Sequence, residues 1–353
     1  MGATIRRMSW FSRKRPEVVA LIDVGAHAIE GALVSCVVGQ APVVIYAVTA
    51  RISFSHEEDQ TQAMFRTLVQ IISAMREQGE GALLRMLGRV TIERVLVAMD
   101  APWLETHLYT KNVAPGKPFV FTKDIVQNAI ARATVLENAM CETDACVVAT
   151  VLDGYEVRQP YGKKVQNVSL TVLASQTDVA LREHVISIVQ DLQKGARVSI
   201  IAGTSLRYQA LRTLFPHEQE VLVVDVTGPL PTFLLVRRGV LVGVSDTPRL
   251  ISLDREVTGE DLHQAMSTLM QKYPLPTTVF LLTRTDKVDA HVALLRSVRY
   301  DTVAGRAHTP KIIPVMNSAL KGMLHAATIE VPDLPVLLMG LYVGYIETPV
   351  RKE

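Results

Sequence analysis

The chain has 353 residues, of which 48% are hydrophobic and 20% are charged, and its 37 basic and 35 acidic side chains give a formal net charge of +2. This composition is too apolar and too weakly charged for an intrinsically disordered chain. The length allows two or three domains, each with its own hydrophobic core. The three cysteines, Cys36, Cys141 and Cys146, are too few and too irregularly spaced for a disulfide framework or a metal site, which favours a reducing cytosol.

The chain begins with a basic leader, which we place at residues 1–17. Residues 1–16 carry five positive charges and no acidic side chain, which leaves the rest of the chain at −3 and argues against a nucleic-acid-binding body. Aromatic and basic side chains together suit the surface of an anionic membrane, and a plain disordered basic tail is the alternative. The residues expected to contact the membrane are Arg6, Arg7, Trp10, Phe11, Arg13, Lys14 and Arg15.

A repeated pattern follows the leader. Residues 18–26, VVALIDVGA, form an apolar run that ends in Asp-Val-Gly-Ala, and residues 221–228, VLVVDVTG, have the same design. With Asp23 aligned to Asp225, both copies read as strand, turn, strand, turn, strand. We therefore predict a duplicated α/β fold, with two unrelated buried hairpins as the alternative.

Between and after these repeats, apolar periodicity predicts further helices and strands. Predicted helices cover residues 59–78, 123–138, 178–193, 204–214, 259–273 and 288–298. Predicted strands cover residues 94–99, 105–113, 147–158, 167–175 and 278–283. The apolar run at 334–346 is shorter than the roughly 20 residues that cross a bilayer, so we predict no transmembrane span.

The order of these elements resembles that of the bacterial actin-like proteins of the FtsA and PilM type, from residue 18 to residue 346. Two segments carry the resemblance: SWFSRKRPEVVALIDVG at 9–25, and VLDGYEVRQPYGKKVQNVSLTVLAS at 151–175, which looks like the SHS2 insertion of FtsA-type proteins. The resemblance implies a duplicated actin-like (ribonuclease H-like) α/β fold of two lobes with an inserted α+β SHS2-type subdomain. The implied parts are a first lobe at 18–99 and 177–215, the insertion at 100–176, a second lobe with a reduced small subdomain at 216–330, and a C-terminal apolar segment and tail at 331–353.

In proteins of this type, ATP and Mg²⁺ lie between the two lobes. Each Asp-Ile-Gly hairpin presents backbone N–H groups to the phosphates, and its carboxylate helps to hold the metal ion. Glycine suits these turns because a Cβ would block the close approach of the backbone. The residues that the resemblance places in these positions are Asp23, Gly25, Asp225 and Gly228.

The sequence departs from the family pattern in three places. In the first turn, Glu30 replaces a residue that is often Lys, and it either opposes a phosphate or points to solvent. In the second turn, Pro229 and Pro231 have no N–H to donate. After the strand at 278–283, Arg284 stands where glycines normally leave room for the adenine ring. We therefore expect a degenerate site with no cofactor, no metal and no catalytic residue, and ATP with Mg²⁺ is the alternative.

The resemblance favours a non-enzymatic scaffold or adaptor for cell division or type IV pilus assembly, located in the cytoplasm at the inner face of the cell membrane. Its expected partners are tails of membrane proteins, further copies of itself and an anionic membrane surface, but no nucleic acid. The insertion would dock a partner through Tyr155, Pro160, Tyr161 and Gly162. The alternatives are an ATP-binding polymerising protein similar to the FtsA division ATPase, and a sugar or acetate kinase, for which no catalytic acid can be assigned.

Overall fold

A computed structural model describes residues 15–53, 58–131, 139–157, 159–228, 230–246, 257–271, 273–300, 309–328 and 332–346. Of the basic leader, only residues 15–17 fall inside these ranges. The membrane contacts predicted for Arg6, Arg7, Trp10, Phe11, Arg13 and Lys14 therefore lie outside the described residues, as does Pro229.

The described chain consists of short strands and helices in mixed order. The strands are β1 (Glu17–Val24), β2 (Ala28–Cys36), β3 (Val43–Arg51), β4 (Ile92–Met99), β5 (Glu105–Val113), β6 (Phe119–Val120), β7 (Met140–Leu152), β8 (Tyr155–Glu156), β9 (Lys164–Val165), β10 (Val168–Asp178), β11 (Arg197–Ala202), β12 (Val221–Asp225), β13 (Thr232–Arg237), β14 (Val240–Asp246), β15 (Thr278–Leu282), β16 (Lys311–Pro314) and β17 (His325–Ala326). The helices are α1 (Gln60–Ala74), α2 (Glu80–Leu87), α3 (Lys123–Ile130), α4 (Val179–Gln190), α5 (Gly203–Leu214), α6 (Gly259–Met270), α7 (Val288–Arg296) and α8 (Leu334–Tyr345).

Both predicted repeats are present, and each begins a sheet of the same design. The first sheet has the order β11-β4-β1-β2-β3-β17, in which β1, β2 and β3 are antiparallel and β4 and β11 run parallel to β1. The second sheet has the order β14-β13-β12-β15-β16, with the same directions relative to β12. The second sheet thus repeats five strands of the first, which confirms a duplicated, two-lobed α/β fold. The alternative of two unrelated hairpins is wrong.

Strands β1 and β12 lie near the centre of their sheets because both are near-continuous apolar runs, as strands buried on both faces require. Helices α1, α2 and α4 pack on one face of the first sheet, and α6 and α7 pack on one face of the second. Helices α5 and α8 lie between the two sheets, in a core to which both lobes contribute. The two carboxylates Asp23 and Asp225 stand at the ends of the central strands, beside this shared core.

The chain between β4 and α4 forms a separate α+β unit, which we call the insertion. Its sheet has the order β5-β10-β7-β8, and α3 packs on it around Phe121, Leu170 and Val172. The helix predicted at 123–138 is described only as far as Ile130, and residues 132–138 lie outside the described residues. The domain boundaries given above stay a prediction.

One predicted helix is longer than expected, and one apolar run for which no secondary structure was predicted is helical. The helix predicted at 59–78 continues through a π-helical turn, Met75–Gly79, into α2, and Gly79 allows this turn to approach Leu33 of β2. The apolar run at 334–346 forms the buried helix α8, with Pro335 in its first turn, where an N–H is not needed. None of the helices in the described ranges combines the length and the hydropathy needed to cross a bilayer.

Candidate functional site

The first turns of the two repeats meet at a cavity between the lobes, with a volume of about 120 Å³. The β1–β2 turn contributes Gly25 and Ala28, the β12–β13 turn contributes Thr227, and Arg284 follows β15. The four residues that the resemblance assigns to nucleotide binding all line this cavity, namely Asp23, Gly25, Asp225 and Gly228. The fold therefore brings the predicted residues together.

A buried arginine joins the two lobes at this cavity. Arg207 projects from α5, and only 4% of its side chain is exposed. Its Nη2 donates a hydrogen bond of 2.5 Å to Oδ1 of Asp100, and its Nε forms an ion pair with Oδ2 of Asp225. Asp100 follows β4 of the first lobe, whereas Asp225 ends β12 of the second. Burial lowers the pKa of Arg207, but Asp100 and Asp225 outweigh burial and hold that pKa above its usual value.

Gly203, the first residue of α5, provides the space for this ion pair. A Cβ at this position would lie 2.8 Å from Cγ of Asp100 and 2.8 Å from Nη1 of Arg207, closer than real Cβ contacts. The start of α5 is also held by the insertion, because the backbone N–H of Ala202 donates to Oδ1 of Asp144 on β7 at 2.8 Å. The position of Arg207 thus depends on a glycine and on an aspartate from the insertion.

Two carboxyl groups lie side by side in the first hairpin, since Asp23 and Glu30 are paired in the register of β1 and β2. Burial, followed by repulsion from Asp100, raises the pKa of Asp23 to about 7. Burial and a side-chain hydrogen bond with Asp333 raise the pKa of Glu30 to about 10. Glu30 is therefore protonated at neutral pH and donates to Asp333, and the expectation that it could point to solvent is wrong.

One backbone amide in each turn already has an acceptor within the turn. The N–H of Gly25 donates to the carbonyl of Ala28 at 3.1 Å, and the N–H of Thr227 donates to Oδ1 of Asp225 at 3.0 Å. The indole of Trp103, which is buried at the start of the insertion, donates to the carbonyl of Gly25 at 3.1 Å. These hydrogen bonds stabilise the two turns without directing the amides of Gly25 and Thr227 at the cavity.

Arg284, which follows β15 and was expected to replace glycines of the adenine site, forms an ion pair. Arg284 lies 3.1 Å from Asp333 and 3.6 Å from Asp286, measured between guanidinium nitrogens and carboxylate oxygens. Asp333 directly precedes α8, so this pair connects the end of β15 to the central helix. Within the described parts of the chain, no group of three His, Cys, Asp or Glu side chains is placed to hold a metal ion.

The predicted docking residues lie elsewhere, on the insertion, and none of them lines the cavity. Tyr155 is 77% exposed, whereas Pro160 is buried. The ring of Tyr161 stacks on Phe121 with centroids 5.6 Å apart, and Gly162 has a φ of 79° and donates its N–H to the carbonyl of Phe121. Tyr155 is thus the most exposed of the four, and the other three brace the β6–β9 ribbon.

Sequence reasoning missed three charged members of the cluster: Asp100, Arg207 and Asp333. A signal existed for Asp100, because it follows an apolar strand just as the aspartates of the repeats do. Arg207 gave little signal, because α5 contains no acidic side chain that would indicate an ion pair. Asp333 occupies the N-cap position of α8, but its side chain makes no capping hydrogen bond there.

The chain matches no family model and no curated protein sequence. Among solved structures, it is similar to the PilM–PilN type IV pilus biogenesis complex, at 13% sequence identity and a TM-score of 0.52, over 87% of this chain and 90% of that chain. It is also similar to a Bacteroides thetaiotaomicron protein with an actin-like ATPase fold and unknown function, at 9% identity and a TM-score of 0.45 over 89% and 95% of the two chains. The ethanolamine utilization protein EutJ from Carboxydothermus hydrogenoformans matches at 12% identity and a TM-score of 0.41 over 88% and 89%.

The similarity to the PilM–PilN structure, together with the repeated sheets, shows that the chain has a duplicated, two-lobed actin-like fold. The PilM–PilN structure shares the fold over most of both chains. At 13% identity this similarity shows a shared fold and not a shared role.

We predict that removing the charge of Arg207 destabilises the protein strongly. Arg207→Ala leaves Asp100 and Asp225 buried without their cation, which should lower the free energy of unfolding by about 3–5 kcal/mol. The matched control is Arg237→Ala, which breaks a more exposed ion pair with Glu220 and should cost no more than about 1 kcal/mol. Urea unfolding of the three proteins measures both values, and equal losses in the two variants would refute the central role of Arg207.

A second prediction concerns the pH dependence of stability. The pKa of Glu30 is higher in the folded chain than in the unfolded chain. Its stabilising contribution to the free energy of unfolding is therefore complete below the unfolded pKa and is lost as the pH rises toward about 10. Its neighbours are Asp23, Asp333 and Arg284. Glu30 should make the free energy of unfolding fall by at most about 1.4 kcal/mol per pH unit.

Glu30→Gln removes this titration while keeping a hydrogen-bond donor toward Asp333. Its unfolding free energy should therefore fall less steeply than that of the wild type across the neutral and mildly alkaline range. Glu183→Gln, on the exposed side of α4, is the control and should follow the wild type. Parallel curves for the wild type and Glu30→Gln, measured by urea unfolding at several pH values, would contradict the buried protonated state.

Proposed function

We propose that this chain is a non-enzymatic actin-like scaffold for type IV pilus assembly, in which an ion pair takes the place of a nucleotide. The single observation that carries the proposal is the guanidinium of Arg207, which lies between the carboxylates of Asp100 and Asp225, one from each lobe. In the family, a metal ion and a triphosphate lie between these two lobes. Here a side chain of the protein supplies the positive charge that the carboxylates need.

Three further observations argue that the residues present do not fit ATP with Mg²⁺. The cavity of about 120 Å³ is smaller than the roughly 300–1,000 Å³ of ordinary ligand pockets. The amides of Gly25 and Thr227 are already used within their turns. The cavity wall carries the carboxylates of Asp100 and Asp225, which repel phosphates, and the nearby guanidinium of Arg207 is already paired with them. We therefore infer that the cavity stabilises the arrangement of the lobes and performs no phosphoryl transfer.

The assignment to pilus assembly rests on the similarity in fold to the PilM–PilN complex. By that analogy, the partner is a tail of a membrane protein, and the scaffold works at the cytoplasmic face of the membrane. The insertion is the part best suited to dock such a tail, because Tyr155 is 77% exposed and exposed aromatic side chains are frequent anchors of protein interfaces. A role in cell division uses the same fold and stays the alternative setting.

An ATP-binding polymerising protein is the second function that an observation supports, because Asp23, Gly25, Asp225 and Gly228 all line the cavity. We predict that the wild-type protein gives no binding heat when titrated with Mg-ATP up to millimolar concentration in a calorimeter. The control is the heat of dilution of Mg-ATP into buffer. Micromolar binding of Mg-ATP would overturn the proposal that an ion pair takes the place of a nucleotide, and it would favour an ATP-binding protein.

The docking role of the insertion has its own test. We predict that Tyr155→Ala weakens binding of the partner tail by at least about fivefold, the effect of losing about 1 kcal/mol at an interface. The measurement is fluorescence anisotropy with labelled peptides from the cytoplasmic tails of membrane proteins encoded beside this gene. Tyr345→Ala, which removes an exposed tyrosine from the end of α8, is the control. Equal affinities of both variants would show that the partner binds elsewhere.

A further inference from the structure

A large open groove lies at the end of the first lobe where β1 begins. Its walls are the π-helical turn and α2 on one side and the segment that leads into β4 on the other. The groove has a volume of about 940 Å³, so it is much larger than the cavity between the lobes. We call it the N-terminal groove.

The N-terminal groove combines an apolar side with acidic groups. Leu83, Leu84 and Leu87 of α2 supply the apolar side, and Leu84 is 58% exposed although it is a large hydrophobic residue. Three exposed glutamates, Glu77, Glu80 and Glu93, line the groove and outnumber its two arginines, Arg15 and Arg89. A segment that suits this surface carries apolar or aromatic side chains interspersed with cations.

The basic leader has this chemistry and enters the described structure at the groove. The first two described residues, Arg15 and Pro16, both line the groove. Trp10 and Phe11 stand five and four residues before Arg15, and five extended residues span about 17 Å. The tether also gives a short segment a millimolar effective concentration at a neighbouring surface, so weak contacts are enough for docking.

We propose that residues 8–14 dock in the N-terminal groove of the same molecule, with Trp10 and Phe11 against the leucines of α2 and the basic side chains beside the glutamates. Docking in this way covers the aromatic and basic side chains that the sequence suggests for membrane contact. Docking in the groove then competes with binding of the leader to an anionic membrane. This inference is independent of the proposed scaffold function.

Acrylamide quenching of Trp10 fluorescence in the full chain tests the docking. Trp103 is the other tryptophan and is buried, so subtracting the signal of Trp10→Phe isolates Trp10. We expect Trp10 to be quenched severalfold less than a free peptide of residues 1–14, and Leu84→Lys to remove this protection. The matched control is Met86→Lys on the same helix, since Met86 is similarly exposed but does not line the groove.

Each outcome of the quenching experiment shows what occupies the N-terminal groove. Protection that is independent of protein concentration and is lost only in Leu84→Lys supports docking within one molecule. Protection that grows with protein concentration would overturn the proposal in favour of a second copy. Equal and complete quenching of Trp10 in all variants would also overturn the proposal. If protection appears only when vesicles of phosphatidylethanolamine and phosphatidylglycerol are added, the leader binds the membrane instead. Circular dichroism of each variant confirms that the substitution leaves the fold intact.

Discussion

Several carboxylates lie close together where the two lobes meet. The arrangement of the lobes depends on how the electrostatic cost of placing them there is offset. The carboxyl ends of parallel strands lie at one edge of a sheet, and in this fold the corresponding edges of the two sheets face each other. Asp23 and Asp100 come from the first lobe, and Asp225 comes from the second. Removing such groups from water costs several kcal/mol for each charge, and only a close cation compensates for it. Arg207 is that cation, and protonation of Glu30 removes a further negative charge from the same region.

The insertion is mechanically connected to this cluster. Asp144 of β7 accepts the backbone N–H of Ala202 at the start of α5, and Arg207 is on the first turns of that helix. Trp103, at the start of the insertion, hydrogen-bonds to the turn that carries Gly25. The insertion therefore contacts both the helix that carries Arg207 and the turn that carries Gly25. In the proposed scaffold, the unit that docks the tail also contacts the helix that holds the lobes together.

The sequence predicted the parts of this structure that follow from local patterns. Apolar runs ending in Asp23 and Asp225 identified both repeats, and their similar turns indicated the duplication before any contact was known. The ion pair was missed because it depends on tertiary contacts between residues far apart in the chain. Arg207 has no acidic partner on its own helix, and only the assembled fold brings Asp100 and Asp225 to it. The environment of Glu30 was left open for the same reason, since Asp333 lies about three hundred residues further along the chain.

In the proposed scaffold, an arginine takes the place of a nucleotide, and this changes what the fold can do. A bound nucleotide can leave or be hydrolysed, so the lobes of a nucleotide-binding protein can change their arrangement with its state. Arg207 is covalently part of α5 and cannot leave, and separating the lobes would strand Asp225 or Asp100 at a cost of about 3–5 kcal/mol. In the proposed scaffold, the chain itself therefore holds the lobes in one arrangement. Such a constraint suits a scaffold that presents a fixed surface, and it leaves control of binding to segments outside the cavity, such as the basic leader.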